Sequence, residues 1–340
     1  MRAQGATDTV KKICVFGAGA IGGHLAAKLA RAGLDVSVVA RGAHLQAIRE
    51  KGLRFTSDTE DFVTHPNATS DTRELGPQDL VITTLKAHAL PGAAEQMAPL
   101  LGRGTPVVFA VNGIPWWYPY RGEQPALGPV ASRLDPQGAL WKTLGANRAI
   151  GCVISSPNEV IAPGVVHNNR PHNSFIVGEP TGQMTERLTA LVTALQPALP
   201  GVAATTDIRT AMWNKLILNL AGSPLSCLVD APWIEFTGNP GMVRIFTALV
   251  NEATRVAAAH GVAVTTTAEQ LLALMQQVRH VPSMLADLRA KRPLETDAIL
   301  GAVQDLARAA GIDTPTLDII AALLEQRARS LNTNPQAATS

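Results

Sequence analysis

The chain has 340 residues, enough for two domains with separate cores, and its 46% hydrophobic and 16% charged content is globular rather than disordered. Twenty-nine Lys and Arg stand against 27 Asp and Glu, and the basic residues are scattered. The resulting formal charge of +2 gives no reason to expect a nucleic-acid or other polyanionic partner.

From Lys12 to about Val111, short β-branched runs alternate with amphipathic helical ones. Ile13-Cys14-Val15-Phe16 is an apolar strand closed by glycines, and a helix is predicted from Ala20 to Ala32, ended by Gly33. Val36-Ser37-Val38-Val39 is the next strand, with a helix to about Lys51. Leu80 to Leu85 is a third buried strand, followed by helix to Leu101, and Pro106 to Val111 is a fourth. Strands that are apolar throughout and separated by helices imply a parallel sheet covered on both faces. Between about Ile150 and Glu179 come Gly151-Cys152-Val153-Ile154, Val165-Val166-His167 and Phe175-Ile176-Val177-Gly178. These short strands are predicted to extend the same sheet with antiparallel neighbours. After Thr206 the period is helical through Leu331, broken at Pro224, Pro240-Gly241, Gly261, Pro282, Pro293 and Gly311. The expected architecture is an α/β domain over residues 11–205, an all-α domain over 206–331 with a cleft between the two, and a flexible tail over 332–340.

Cys14, Cys152 and Cys227 lie far apart with no CxxC pair, so neither a disulfide framework nor a cysteine-rich metal site is expected. The eight histidines contain no HExxH-type pair. His167 and His172 read as ordinary surface or hydrogen-bonded side chains, and no metal is assigned. The opening MRAQGATDTVKK is polar, and no long apolar run could span a bilayer, so a cytoplasmic chain without a membrane partner is expected.

Gly17-Ala18-Gly19-Ala20-Ile21-Gly22 follows the first strand directly and opens the first helix. In a βαβ unit each glycine is needed for its own physical reason. Gly17 allows the tight turn, Gly19 the close approach of a pyrophosphate, and Gly22 the helix–strand packing. Unpaired N–H groups at the helix start then receive the phosphates. This context makes the first domain Rossmann-like and points to a dinucleotide. An NAD site places a carboxylate about 20 residues past the first glycine. Here that place reads Val39-Ala40-Arg41-Gly42, and Asp35 lies at the wrong end of the strand. Arg41 offers paired donors to a 2′-phosphate, which favours NADP(H). The competing reading of Arg41 is a solvated loop arginine.

In the helical half, Ala211 to Pro224 is apolar except at Asn214, Lys215, Asn219 and Ser223. Lys215, Asn219 and Ser223 are spaced i, i+4, i+8 and share one helix face. A lysine among Trp213, Leu216 and Ile217 is expected to be partly desolvated, and desolvation lowers a lysine's pKa towards useful proton-donor values. Pro224 is expected to end the helix, leaving the stripe at a cleft. A lysine snorkelling at a domain edge would give the same pattern.

The order of motifs then carries a resemblance. The glycine loop, Arg41, Thr84-Leu85-Lys86, Val111-Asn112-Gly113, Trp213-Asn214-Lys215 with Asn219, Pro282-Ser283-Met284 and Leu294-Glu295-Thr296-Asp297 follow one another as in the ketopantoate reductase (2-dehydropantoate 2-reductase) family. The likeness runs from about Lys12 to about Arg329. It implies NADPH-dependent reduction of a 2-oxo acid to a 2-hydroxy acid in pantothenate biosynthesis, on a small-molecule substrate, and leaves a homodimer open. By this resemblance Lys215 is the general acid, and Lys86 and Asn112 touch the cofactor, Asn112 also lying near the reacting carbonyl. Asn219, Ser223 and Ser283 hold the substrate's hydroxyl and carboxylate. Glu295 orients the cofactor ribose and Lys215, and Ser156 matches a position whose backbone approaches the nicotinamide. A cation and hydrogen-bond donors around an oxygen that gains charge form a coherent set. Taken singly, Lys86 and Ser283 also suit loop or cap positions, and Glu295 suits the first turn of its helix. A dehydrogenase acting on a C–N bond and a non-catalytic NADP-sensing protein are the other readings of the same plan.

Two departures stand out. Ser223 occupies a position where the family often carries a second asparagine. The run Ile114-Pro115-Trp116-Trp117-Tyr118-Pro119-Tyr120 opens a long connection to about Leu144, and such loops in compact domains tend to be functional. The aromatics are expected either to wall the substrate side of the cleft or to pack the loop or a subunit contact.

Overall fold

The computed structural model describes residues 10–123, 128–170, 173–277 and 281–331. His172 and the tail 332–340 lie outside them. The strands are β1 (Lys12–Phe16), β2 (Asp35–Val39), β3 (Leu53–Thr56), β4 (Asp61–Thr64), β5 (Asn67–Thr69) and β6 (Leu80–Thr83). They continue as β7 (Val107–Phe109), β8 (Ala149–Ser155), β9 (Asn158–Ala162), β10 (Val165–Asn168), β11 (Ser174–Gly178) and β12 (Val202–Ala204). The helices are α1 (Ala20–Arg31), α2 (Gly42–Lys51), α3 (Leu90–Met97), α4 (Pro129–Leu134), α5 (Ala139–Thr143) and α6 (Glu186–Leu195). After them come α7 (Ile208–Val229), α8 (Trp233–Phe236), α9 (Pro240–Ala259), α10 (Ala268–Met275), α11 (Ser283–Arg289), α12 (Ala302–Ala310) and α13 (Pro315–Ser330). None of the described helices is long and apolar enough to cross a membrane.

The chain divides into two compact units. One holds the described residues up to Val111, those of Tyr120–Pro125, and Gln137–Ile208. The other holds Asn112–Pro119, the described part of Ala126–Pro136, and the described residues from Arg209 onward. The sequence-based bounds put all of 112–136 in the first domain. In the structure, Asn112–Pro119 and the described part of Ala126–Pro136 group with the helical unit, where Tyr118 is bonded to Trp213 and Arg133 to Asp305.

In the α/β unit an eight-stranded sheet runs β12-β11-β8-β7-β6-β1-β2-β5. From β5 to β8 all neighbours are parallel, as the buried runs of β1 and β6 require, and β11 closes antiparallel on β8 with Val177 opposite Cys152. The strand at Val165–Asn168 does not extend this sheet. It pairs parallel with β3, Val165 opposite Arg54, in a separate four-stranded sheet β4-β3-β10-β9. The reason lies on α1, whose side facing away from β1 is also apolar and needs a cover. Gly23 lets β10 approach so closely that a Cβ there would stand 2.5 Å from Val166 Cγ2, and Phe55 of β3 packs on the His24 ring at 5.0 Å between centroids.

In the helical unit α7 buries Trp213, Leu216, Ile217 and Leu220, and α9 buries Phe246, Leu249, Val250, Ala253, Val256 and Ala257 at helical spacing. The Glu252 carboxylate accepts from the amides of Thr316 and Leu317, both at 2.9 Å, and so satisfies the start of α13. Contrary to the sequence-based expectation, α7 does not end at Pro224 but runs through it to Val229. An interior proline costs about 3 kcal/mol. Burying Leu225, at 2% exposure, and Cys227, at 0%, offsets this, since a large apolar side chain contributes about 1.5–3 kcal/mol.

Candidate functional site

In the α/β unit the glycine loop folds back on β2. The amides of Gly17 and Ala18 both donate to the Val39 carbonyl at 3.1 Å, and Gly17 adopts φ +104°, open to glycine. The Gly17 carbonyl accepts from Thr84 Oγ1 at 2.6 Å, which ties the loop to the end of β6. A Cβ on Gly22 would lie 1.9 Å from that carbonyl, so only glycine fits the helix–loop approach. A Cβ on Gly19 would meet nothing within 4 Å. Open space thus lies over the start of α1, whose first helical acceptor is Gly19 O, taken by Gly23 N at 2.7 Å. The amides of Ala20, Ile21 and Gly22 precede that bond and have no carbonyl a turn earlier, which is the donor set a pyrophosphate requires. Arg41 is the exposed residue preceding α2, and its guanidinium forms no hydrogen bond or ion pair among the described residues. Lys86 is half-buried at the start of a 3-10 turn over Ala87–Ala89. The free amides at the start of α1 fit the pyrophosphate of a dinucleotide.

Ser156 follows β8, and its side chain is fully engaged. Its Oγ donates to Asn173 Oδ1 at 2.5 Å and accepts from Asn158 Nδ2 at 2.7 Å. Asn158 Oδ1 in turn lies 2.8 Å from His24 Nδ1 and accepts from Asn168 Nδ2 at 2.7 Å. Because that amide oxygen can only accept, His24 carries its proton on Nδ1. His24 is 2% exposed, and burial pushes its pKa down to about 4 against the opposing Asn158 bond. The network joins α1 to the turn bearing Ser156. Sequence reading missed it, since an interior histidine and scattered asparagines have no spacing rule.

In the helical unit three of the predicted residues converge. Lys215 Nζ donates to Asn112 Oδ1 at 2.8 Å, and Asn112 Nδ2 lies 3.5 Å from Glu295 Oε2. The amide is held one way round: its oxygen faces the ammonium and its nitrogen faces the carboxylate. Lys215 is half-buried on α7, and Glu295 is 9% exposed just before a π-helical turn, Asp297–Gly301. That turn receives the segment that begins at Asn112. Ile114 N donates to Ala298 O at 2.8 Å, and Gly113 at φ +82° comes so close that a Cβ would be 2.5 Å from the same oxygen. π-turns of this kind frequently mark functional positions.

On the same helix Asn219 is half-buried and Ser223 is 4% exposed, while Ser283 is exposed at the first position of α11. Asn214 faces another way, accepting from Thr265 N at 3.2 Å.

The aromatic run is interior packing rather than an open wall. Trp116, Trp117 and Tyr118 are 2%, 2% and 4% exposed. Tyr118 OH accepts from Trp213 Nε1 at 2.9 Å, and its carbonyl accepts from Arg209 Nη2 at 3.0 Å. The segment is therefore pinned to the first turns of α7, just below Lys215. Residues 124–127 of the predicted long loop lie outside those described.

Comparison with known proteins places the chain. A family model described as Ketopantoate reductase PanE/ApbA matches residues 13–182, and one described as its C terminal matches residues 207–328. A 2-dehydropantoate 2-reductase from Mesorhizobium japonicum is 40% identical over 319 residues, covering 93% of this chain and 98% of the relative. The chain belongs to the ketopantoate reductase family. A 2-dehydropantoate 2-reductase from Geobacter metallireducens GS-15 matches in structure with TM-score 0.81 and 28% identity, over 93% of this chain and 99% of that one. The ternary structure of D-mandelate dehydrogenase with NADH and anilino(oxo)acetate matches with TM-score 0.80 over 95% and 100%, and at 20% identity it shares the fold. As a ketopantoate reductase family member the chain is an NAD(P)-dependent oxidoreductase acting on CH–OH and C=O groups.

Proposed function

We propose that this chain uses NADPH to reduce 2-dehydropantoate, or a closely related 2-oxo acid, to the 2-hydroxy acid, as a step in pantothenate biosynthesis. The observation that carries this reading is the Lys215–Asn112–Glu295 chain, with its 2.8 Å ammonium–amide bond. The cofactor supplies the hydride. As the carbonyl carbon accepts it, the oxygen gains an electron pair, and Lys215 stabilises and then protonates that oxygen. One of the three N–H donors of Lys215 is held by Asn112 Oδ1, which fixes the direction of the other two. Glu295 fixes Asn112 in turn and orients the cofactor ribose. Asn219, Ser223 and Ser283 bind the substrate's hydroxyl and carboxylate. In the α/β unit the amides of Ala20, Ile21 and Gly22, at the end of the Gly17–Gly22 loop, hold the pyrophosphate, Arg41 the 2′-phosphate, and Lys86 and the backbone at Ser156 the rest of the cofactor.

The test is cofactor oxidation by the purified protein with NADPH or NADH against 2-dehydropantoate, other 2-oxo acids and a set of imines. Turnover of a 2-oxo acid with NADPH preferred is expected. Turnover of imines alone would move the protein to C–N chemistry, and binding without any turnover would make it a sensor.

A further inference from the structure

Arg133 of α4 lies across the π-helical turn that follows Glu295. Its Nε and Nη2 form a two-pronged pair with the Asp305 carboxylate at 2.5 and 3.0 Å, and its Nη1 reaches Asp297 Oδ1 at 3.1 Å. Asp297 is the first residue of the turn, and Asp305 lies one helix further on, in α12. Between them the guanidinium rests on Gly301, the last residue of the turn, so closely that a Cβ would stand 2.7 Å from Nη1. Asp305 is 6% exposed. Burial pushes its carboxyl up, but the bonds from Arg133 and Arg308 outweigh this and hold it below the usual carboxylate range.

A π-turn carries one residue more than an α-helix needs, and it persists only where something outside the helix holds it. Here two things do so. The backbone of Gly113 and Ile114 takes the Ala298 carbonyl, and Arg133 clasps the turn from its first residue to beyond its last. Glu295 sits two residues before the turn, and Asn112 sits two residues before Ile114. Any relaxation of the turn towards regular α geometry would therefore rotate Glu295 and shift Asn112 relative to Lys215.

We propose that Arg133 is a positioning residue for the Lys215 site, locking the π-helical turn that sets Glu295 and Asn112 in register with the lysine. This rests on the reading of Lys215 as the proton donor. The segment that carries it, on the long connection after Asn112, thereby acquires a role in the reaction without touching the substrate.

Gly301→Ala isolates the clasp. It keeps every charge, and the three atoms nearest the new methyl, at 2.7–3.0 Å, all belong to the Arg133 guanidinium, which must shift to admit it. Alanine also favours helix by about 1 kcal/mol over glycine. A purely structural role would lower the melting temperature through the loosened Arg133–Asp305 pair and leave the kinetics of the folded protein unchanged. A positioning role leaves the protein folded but lowers kcat by about tenfold or more, with a smaller change in KM, since small misplacements at a reacting centre act on the chemical step. The side-chain nitrogen resonance of Lys215, read by NMR, should also shift once its amide acceptor moves. Arg133→Met should act the same way, with added guanidinium restoring part of kcat. Wild-type kcat and an unchanged Lys215 resonance in folded Gly301→Ala protein would overturn the proposal. If the wild-type protein turned over no 2-oxo acid, the functional reading would fall by itself, and the Lys215 resonance alone would decide on Arg133.

Discussion

At the scale of single residues, Lys215 Nζ donates to the Asn112 amide oxygen at 2.8 Å, and that bond sets the direction of the ammonium. Arg41 is the counterpart in the α/β unit. On the proposed reading it makes charge-assisted bonds to a 2′-phosphate, worth about 1.5–3 kcal/mol, so Arg41→Ala should weaken NADPH binding by about 10- to 150-fold. NADH binding should stay level, and equal losses for both cofactors in a fluorescence titration would contradict the assignment. His24 makes a third prediction. Its native pKa of about 4 lies below the ordinary 6.5, so the unfolded chain takes up the proton first as pH falls. The neutral-histidine contribution is present above pH 6.5 and is lost as pH falls towards 4, up to about 3 kcal/mol. Urea midpoints should therefore drop more steeply over that window in the wild type than in His24→Gln. Parallel slopes would show that His24 is not buried neutral.

At the scale of elements, α7 and the aromatic run after Asn112 are best understood together. Tyr118→Phe leaves the wholly buried Trp213 Nε1–H without its acceptor, which costs about 1–3 kcal/mol. A lower urea midpoint at unchanged slope is expected, and an unaltered midpoint would show that the bond contributes nothing. Removing Trp116 to Tyr118 altogether takes away three buried side chains and should unfold the helical unit, seen as loss of its cooperative melting. A folded variant with altered substrate choice would return these residues to the role of a pocket wall. The continuation of α7 through Pro224 has a similar origin. Burial of the residues after the proline outweighs the local stop signal, and burial is not visible in a local window.

At the scale of the whole molecule, the fold class was legible because its signals are local. The apolar runs of β1 and β6, the glycine loop and the helical period after Thr206 each lie within a short window. What stayed hidden depends on distant pairing. β3 and β10 meet across more than 100 residues because α1 needs a cover on its second face, and no periodicity announces that. The same holds for the site. Gly17, Gly19, Gly22, Arg41 and Lys215 can be singled out by spacing, but Asn112 and Glu295 only through the resemblance. Their approach to Lys215 rests on Gly113 and a π-turn that no sequence rule marks. In the sequence Arg133 is one more scattered arginine. The most direct measurement is a single-turnover experiment: protein loaded with NADPH is mixed with 2-dehydropantoate, and cofactor oxidation is followed in wild type and Lys215→Ala, with NADPH affinity measured alongside. The expected result is rapid oxidation in the wild type and a loss of about 10²- to 10⁴-fold in the variant at unchanged NADPH affinity. Undiminished oxidation in Lys215→Ala would contradict the account.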